Sequence, residues 1–273
     1  MYPLRYLPSG HIFIDPRDDC EAVVDAMLET EYNEEFCLAS NFGENFIQRL
    51  MEAGFLVMST EIKDYENMEN NAIEDEETNN PDPVYILLPK LHLVRSALFF
   101  SDIHVKKRVR PLLSMYELRV NTDFDRILDR CVQIHGNDWL TAPLVRAIKN
   151  LHRAYGFLGN GSPAPGTAGK GAVLAEVKAG AKARPVSFGV YREGRLKAGE
   201  FGVIAGRVYT SYSGYYEEDN AGTVQMILMA RWLEKAGFSF LDLGMPLDYK
   251  TALGARNISP GQFVELFRSA RSG

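Results

Sequence analysis

A chain of 273 residues with 46% hydrophobic and 24% charged residues is typical of a folded globular protein, which excludes wholesale disorder and a fibrous architecture. The formal net charge of -6 excludes a basic surface over the whole chain but allows a local basic patch for nucleic acid. Three widely spaced cysteines without a C-x-x-C pair indicate a reducing compartment, and we expect a cytoplasmic protein. No 18-residue apolar run occurs, so we expect no membrane span.

The first part of the chain, residues 1–85, is predicted to form a small α/β domain. Its stretch GENFIQRLMEAGF carries apolar residues at helical spacing and ends on Gly54, which predicts a helix with a glycine C-cap. An acidic, Asn-rich stretch at residues 63–83 has almost no large aliphatic side chain. This composition predicts a solvated linker at the end of the domain.

The second predicted domain, residues 86–273, begins with helical patterns. FDRILDRCVQIHG predicts an amphipathic helix capped by Asn121 or Thr122, and TAPLVRAIKNLHRAYG predicts another with Pro143 in its first turn. A stretch rich in Gly, Ala and Pro follows at about residues 159–185. We expect it to be a flexible insertion within this domain.

After the insertion the pattern changes from helix to strand. Residues 185–216 are rich in β-branched and aromatic residues with EG and AG turn dipeptides, which predicts three antiparallel strands. A helix that ends on Gly237, the buried strand FSFLDLG and a last helix with Ser259 as N-cap complete the order. This order predicts an α+β fold, a mostly antiparallel sheet joined by a later strand through a helical crossover, as in N-acyltransferase domains.

Several segments carry a family resemblance. They are LHLVRS at residues 91–96, DWLTAPLVRAIKNLH around Trp139, VYREGRLKAGEFGV, and the Leu253-Gly254-Ala255 run. Together they resemble the leucyl/phenylalanyl-tRNA–protein transferase family, whose acetyltransferase-like (GNAT) fold follows a small N-terminal domain. The resemblance implies transfer of leucine or phenylalanine from aminoacyl-tRNA to the α-amine of an N-terminal arginine or lysine in a protein or peptide. No cofactor is implied, and no pyrophosphate-binding loop precedes the long helix, where the sequence is EEDNAGTVQ.

The chain departs from the family pattern where chemistry is expected. The family's D-C-Q strand end becomes Asp242, Leu243 and Gly244, so that the aspartate stays and the glutamine is lost. In the earlier strand at residues 211–216 the family's glutamate becomes Tyr212, and in the strand VSFG Gly189 replaces another acid.

Three residues are candidates for catalysis. Asp242, at the carboxyl end of a central strand, could orient or deprotonate an attacking amine, or it could accept hydrogen bonds from the turn that follows. Glu200 lies between two glycines where backbone could approach a ligand closely, so it could replace a lost acid, although alternation also allows it to face solvent. Tyr212 could shape the acceptor pocket or belong to the core.

Other residues are candidates for binding. The resemblance assigns Trp139 to the aminoacyl-adenosine site, although a packing role at the helix entry fits equally. The further candidates for substrate binding are Ser211, Tyr215, Gly244 and Leu253. The most basic stretch of the chain predicts contacts with tRNA phosphates, or else a solvated surface; its cations are Arg95, Lys106, Lys107, Arg108 and Arg110.

Three functions follow from these observations. The first is a tRNA-dependent aminoacyltransferase with an altered active site. The second is a non-catalytic descendant that binds RNA or a protein N-terminus, and the third is a GNAT acyltransferase with another donor. The histidines show no metal-ligand spacing, so we expect no metal, and we expect a monomer.

Overall fold

The protein is built on a seven-stranded mixed sheet with helices on both faces. The computed structural model describes residues 2–62, 83–136, 138–155 and 182–272. The linker predicted at residues 63–83 and the insertion predicted at residues 159–185 lie almost entirely outside the described residues. The helices in this part of the chain are α1 (Cys20–Glu29), α2 (Glu44–Glu52), α3 (Phe124–His135), α4 (Ala142–Tyr155), α5 (Ala221–Lys235), α6 (Asp248–Leu253) and α7 (Pro260–Ser272).

The strands of the described residues include the three that the pattern predicts after the insertion. They are β1 (Leu56–Ile62), β2 (Val84–Lys90), β3 (Arg95–Leu98), β4 (Glu117–Val120), β5 (Arg184–Arg192), β6 (Arg195–Ala205), β7 (Val208–Tyr216), β8 (Phe240–Asp242) and β9 (Arg256–Ile258). Two short 3-10 helices, Phe100–Asp102 and Arg110–Met115, connect β3 to β4.

The large sheet has the strand order β4-β5-β6-β7-β8-β3-β9. Strands β5, β6 and β7 form the predicted antiparallel meander, and β8 pairs parallel to β7. Because parallel neighbours need a crossover, α5 lies between these two strands in the chain. The mixed α+β architecture with a mostly antiparallel sheet is therefore confirmed.

The two faces of the sheet carry separate apolar clusters. Along β5, Val186, Phe188 and Val190 point to one face and pack with α5, while Tyr191 belongs to the cluster on the other face. This alternation is what a strand buried on both faces requires. Helices α2, α3, α4 and α7 contribute buried residues to that second cluster.

The N-terminal region shares its core with the large sheet. Strands β1 and β2 pair antiparallel in a two-stranded sheet, and the buried residues of α1 and α2 belong to the same cluster as Phe201 of β6. The boundary predicted at residue 85 falls inside β2, so a division there would cut a hydrogen-bonded strand.

Two helix starts test the predicted caps. The N-cap position of α3 is Asp123, so the prediction of Asn121 or Thr122 was wrong. The side chain of Asn121 instead accepts a hydrogen bond from the backbone N–H of Ser187 in β5, at 2.8 Å. At α7, Ser259 and Gln262 exchange the reciprocal hydrogen bonds of a capping box, which confirms Ser259 as the cap.

Candidate functional site

A cleft of about 930 Å³ opens beside the carboxyl-terminal half of β7. Its walls come from β7, the first turns of α5, the turn after β8 together with α6, and the start of β1. The polar or aromatic residues that line it include Lys90, His92, His135, Trp139, Glu200, Ser211, Tyr212, Tyr215, Thr223, Gln225, Tyr249 and Lys250. Such a mixture of apolar walls and a few converging polar groups is typical of a ligand site.

A β-bulge shapes the wall that β7 contributes. Phe201 of β6 pairs with Ser213 and the next residue, Gly202, pairs with Ser211, so that Tyr212 is the extra residue in β7. A bulge bends a strand and re-aims its side chains. Tyr212, the extra residue of the bulge, lies in the cleft lining.

The hydroxyl of Tyr212 has a structural partner. Its oxygen accepts a hydrogen bond from the backbone N–H of Val57 at 3.1 Å, which ties β1 to β7. Burial raises the pKa of Tyr212 well above its ordinary value, so this hydroxyl stays protonated at neutral pH. The predicted pocket residue is thus in the cleft wall, and its oxygen is engaged by the protein backbone.

Glu200 is a buried acid in the cleft lining. It is 4% exposed, and Tyr209 donates a hydrogen bond to its carboxylate at 3.1 Å. Burial raises the pKa of Glu200, and hydrogen bonds from Ser211, Tyr209 and Gln225 offset only part of that effect. Its carboxyl group therefore takes up a proton more readily than an exposed glutamate does.

The glycines beside Glu200 do not leave room for a ligand. A Cβ on Gly199 would lie 2.8 Å from Ile127 of α3, and one on Gly202 would lie 2.6 Å from the Tyr209 ring. Protein atoms therefore already occupy the space at both Cβ positions, which leaves no room for a ligand on that side of the backbone.

Asp242 lies outside the cleft lining, in the protein core. Both its side chain and that of Arg95 are 0% exposed, and Arg95 donates from Nε and Nη2 to the two carboxylate oxygens at 2.8 and 2.5 Å. Arg95 also donates to the carbonyl of Gly54 at 3.1 Å and lies 3.9 Å above the ring of Phe263. Burial of Asp242 is opposed by the Arg95 charge, and the net effect lowers the pKa of the carboxyl.

The same carboxylate holds the turn after β8. The backbone N–H of Gly244 donates to Asp242 at 3.0 Å, and Gly244 has a φ of +67°, a conformation that favours glycine. Lys250 of α6 donates to the carbonyls of Leu243 and Met245, at 2.5 and 2.9 Å. The alternative in which Asp242 ties down the turn is therefore the one that its contacts support.

Lys250 brings a second buried charge to the cleft. It is 7% exposed, and burial lowers the pKa of its ammonium, while the charges of Glu200 and Asp242 act in the opposite direction. The cleft thus combines a glutamate that is easier to protonate and a lysine that is easier to deprotonate than their exposed counterparts.

His92 lines the cleft from the side of β2. It is 4% exposed, and its Nδ1 lies 3.8 Å from a carboxylate oxygen of Glu35. Burial lowers the pKa of His92 to about 4, so the imidazole is neutral at physiological pH.

The predicted site residues divide into two groups. The cleft contains Trp139, Glu200, Ser211, Tyr212, Tyr215 and Gly244. Asp242 and Leu253 do not line it, and Leu253 is buried in the apolar cluster on the α5 side. Leu253 therefore packs in the core and does not contact a ligand in the cleft.

The five cations of the basic stretch have two different surroundings. Arg95 cannot contact a phosphate backbone, because its guanidinium is fully buried against Asp242, and that prediction is corrected. The other four cations, Lys106, Lys107, Arg108 and Arg110, are exposed, and none of them has a carboxylate within 4.0 Å in the described part of the chain.

Sequence reasoning missed His92, Gln225 and Lys250 as cleft residues. His92 lies in the LHLVRS motif, in which the charge of Arg95 is the more obvious signal for a ligand contact. Gln225 and Lys250 fall at helical positions that are ordinarily solvated, and only the fold brings them beside Glu200. Within the described ranges, no three metal-ligating side chains cluster and no helix is both long and apolar enough to cross a bilayer.

Comparison with known proteins identifies relatives of this chain. A sequence profile described as "Leucyl/phenylalanyl-tRNA protein transferase" matches residues 178–268, about one third of the chain. The leucyl/phenylalanyl-tRNA–protein transferase of Pseudomonas putida (strain W619) is 28% identical over 176 residues, which are 63% of this chain and 66% of that protein. The enzyme of the same name from Pseudomonas aeruginosa (strain LESB58) is 26% identical over 182 residues, 65% of this chain and 68% of that protein.

The match therefore spans only about two thirds of these curated relatives. A solved structure of a conserved protein of unknown function from Staphylococcus epidermidis covers 94% of this chain and 83% of its own, at 7% identity and a TM-score of 0.36. A TM-score this low does not establish a shared fold. The sequence matches confirm the resemblance that the motifs predicted.

Proposed function

Because the chain is a divergent relative of leucyl/phenylalanyl-tRNA–protein transferases, we propose that it moves an amino acid from aminoacyl-tRNA to the N-terminal α-amine of a protein. The observation that carries the proposal is the overlap of two regions. The matched residues 178–268 include most of the cleft lining, from Glu200 to Lys250.

Transfer of the amino acid requires mainly that the protein position the two substrates. An aminoacyl-tRNA is an activated ester, so the protein has to bring amine and carbonyl together, exclude water and accept a proton. A cleft with apolar walls and a buried polar floor suits this task. We assign the aminoacyl-adenosine end of the donor to the aromatic wall around Trp139 and Tyr215.

We assign recognition of the acceptor to Glu200 and Ser211. A cationic amine that enters the cleft would favour the ionised form of Glu200, because an opposite charge nearby lowers the pKa of a carboxyl. Tyr212 shapes this part of the wall with its ring. Asp242 becomes a positioning residue in this proposal, since it holds the turn at Gly244 and is sealed from the cleft by its partners.

The remaining contacts with tRNA are assigned to the exposed cations Lys106, Lys107, Arg108 and Arg110. We further propose that the protein acts as a monomer in the cytoplasm, where charged tRNA is present. Its three cysteines, Cys20, Cys37 and Cys131, are free and buried, which suits a reducing compartment.

A transfer assay tests the proposal. The protein is incubated with leucyl-tRNA or phenylalanyl-tRNA carrying a labelled amino acid and with a peptide that begins with arginine or lysine. We expect label in the free-amine peptide and none in the same peptide after N-acetylation. The absence of transfer from any charged tRNA to any free-amine peptide would exclude this activity.

A second candidate is a descendant that binds the same ligands without turnover. The sealed Asp242 and the bare Gly244 favour it, because neither offers a side chain to the reacting atoms. Saturable binding of charged tRNA or of the peptide, together with no transfer, would support this candidate over the first.

A further inference from the structure

His92 has an unexplained buried nitrogen. Its Nε2 is buried and has no hydrogen-bond partner among the residues that the structure describes. Such groups are uncommon in folded proteins, because an unmade hydrogen bond in a buried position costs about 1–3 kcal/mol. A buried polar atom without a partner in the wall of a cleft points to a ligand that supplies the partner.

The surroundings of the other ring nitrogen decide which one carries the proton. The Glu35 carboxylate lies 3.8 Å from Nδ1 and is itself held by Lys90 at 2.7 Å. A carboxylate on that side favours the tautomer with the proton on Nδ1, which leaves a lone pair on Nε2. The charges of Arg95 and Lys90 further disfavour a cationic ring, while Asp242 and Glu35 act in the opposite direction.

His92 Nε2 lies next to Gly244, which lines the cleft and has no side chain. A Cβ added to Gly244 would lie 3.5 Å from His92 Nε2 and 3.5 Å from Leu56 Cδ1, at ordinary van der Waals distance from both. His92, Gly244 and Leu56 all line the cleft. Because residue 244 has no side chain, a ligand group in this part of the cleft can approach the edge of the His92 ring that carries Nε2.

We propose that His92 Nε2 accepts the proton of the attacking amine during aminoacyl transfer, an inference that rests on the proposed function. The amine nitrogen forms a bond to the ester carbonyl carbon, and its N–H proton passes to Nε2. The bond between the carbonyl carbon and the ribose oxygen of the tRNA then breaks, and Nε2 returns the proton to that oxygen. The ring ends neutral, and the products are an amide and a tRNA with a free hydroxyl.

Three other ionisable groups of the region are less suited to this step. Asp242 is shielded on both carboxylate oxygens by Arg95. The Lys250 ammonium donates to two carbonyls and is held away from an acceptor role. His135 has its Nε2 engaged with the carbonyl of Gly214 at 2.8 Å. Only His92 combines a neutral ring, a lone pair without a partner and a place in the described cleft wall.

The test compares His92→Ala with the unaltered chain in single-turnover transfer from leucyl-tRNA to an arginine-initiated peptide. General acid–base catalysis contributes on the order of 10²- to 10⁴-fold, so we expect a rate loss in that range. The affinity for a non-hydrolysable aminoacyl-adenosine analogue should stay within about twofold, and added imidazole should restore part of the rate in proportion to its concentration. His152→Ala, which removes a half-buried imidazole outside the cleft, serves as the matched control and should show neither loss nor rescue.

A second variant guards against misfolding. Glu35→Gln keeps the size of a half-exposed side chain and removes the charge that faces Nδ1. We expect a several-fold slower transfer with unchanged binding of the analogue, and circular dichroism spectra like those of the unaltered chain.

The outcomes separate the two proposals. Transfer by the unaltered chain at a rate that His92→Ala and Glu35→Gln both retain would overturn the role of His92 and leave the proposed function standing. A loss in His92→Ala that imidazole does not restore would also count against proton transfer. No transfer by the unaltered chain would remove the proposed function and the role of His92 with it.

Discussion

Two buried carboxylates lie on nearby strands of one sheet and have opposite surroundings. Asp242 on β8 meets a bidentate guanidinium and the backbone of its own turn, so every contact is made by the protein. Glu200 on β6 faces the cleft and accepts hydrogen bonds from neutral groups. The difference shows in the pKa values, since that of Asp242 is lowered and that of Glu200 is raised.

The comparison teaches that burial alone does not make an acid reactive. A buried ion pair with good geometry fixes a conformation, whereas a buried acid without a full counter-charge keeps a shifted pKa and a capacity for ligand binding. Asp242 and Arg95 therefore have a structural role in the site, whereas Glu200 lies where a ligand can contact it.

The largest effect is expected from removing the cation of the sealed pair. Arg95→Met leaves Asp242 buried without a partner, which should lower the free energy of unfolding by about 3–5 kcal/mol. Urea denaturation followed by circular dichroism measures it. The double variant Arg95→Met with Asp242→Leu should recover part of the loss, because no unpaired charge is then left in the core. A loss below about 1 kcal/mol in the single variant would contradict the assignment of this pair to the scaffold.

Tyr212 lines the cleft with Glu200 and also has a structural contact through its hydroxyl. The role of the hydroxyl can be tested separately from that of the ring. Tyr212→Phe leaves the backbone N–H of Val57 without its acceptor, so we expect a loss of about 1–3 kcal/mol in the free energy of unfolding. Tyr216→Phe is the matched control, since Tyr216 is 65% exposed, and it should be neutral. If Tyr212→Phe abolished transfer without lowering the free energy of unfolding, the hydroxyl would act on the substrates instead.

The two acids should give opposite dependences of stability on pH. The folded-state pKa of Glu200 is raised, so native protein binds more protons and stability falls as pH rises from the ordinary value of 4.5 through the folded pKa. The folded-state pKa of Asp242 is lowered, so its contribution is complete above the ordinary value of 3.8 and is lost as pH falls through the folded pKa. Each whole unit of pKa difference corresponds to about 1.4 kcal/mol.

Denaturation at a series of pH values separates the two contributions. Glu200→Gln should remove the decline above pH 4.5, and Asp242→Asn should remove the decline at lower pH. Glu234→Gln, on the exposed face of α5, should change neither slope. Equal slopes in the Glu200 variant and the unaltered chain would refute the contrast.

The smallest effect on stability is expected at the exposed cations, which the sequence had grouped with Arg95. Replacing Lys106, Lys107 and Arg108 by alanine should leave the free energy of unfolding within about 0.5 kcal/mol. The slope of log affinity for tRNA against log salt should become shallower by about 2–3, as expected for three lost phosphate contacts. Arg195→Ala, at the exposed start of β6, is the control and should not change the slope. An unchanged slope in the triple variant would place tRNA elsewhere.

Local patterns predicted much of the fold and part of the site. Alternation and turn dipeptides gave the β5–β7 meander, and the Ser259-Pro260 pair marked the start of α7. The comparison of motifs pointed to Tyr212, but its position in the sheet depends on a bulge that alternation does not predict. Arg95 was assigned to the surface because its charge stood near a basic run, and the acid that neutralises it lies 147 residues away.

By itself, the sequence determined the order of helices and strands, the family resemblance and the acid at the end of β8, because these depend on neighbours along the chain. The tertiary structure decided that Asp242 is neutralised, that Glu200 faces a cleft and that His92 presents a nitrogen without a partner among the described residues. Burial and charge pairing fix these properties, and both arise only when distant segments come into contact. The free energy of an ionisable side chain depends on what surrounds it in space, and the local sequence does not specify those surroundings.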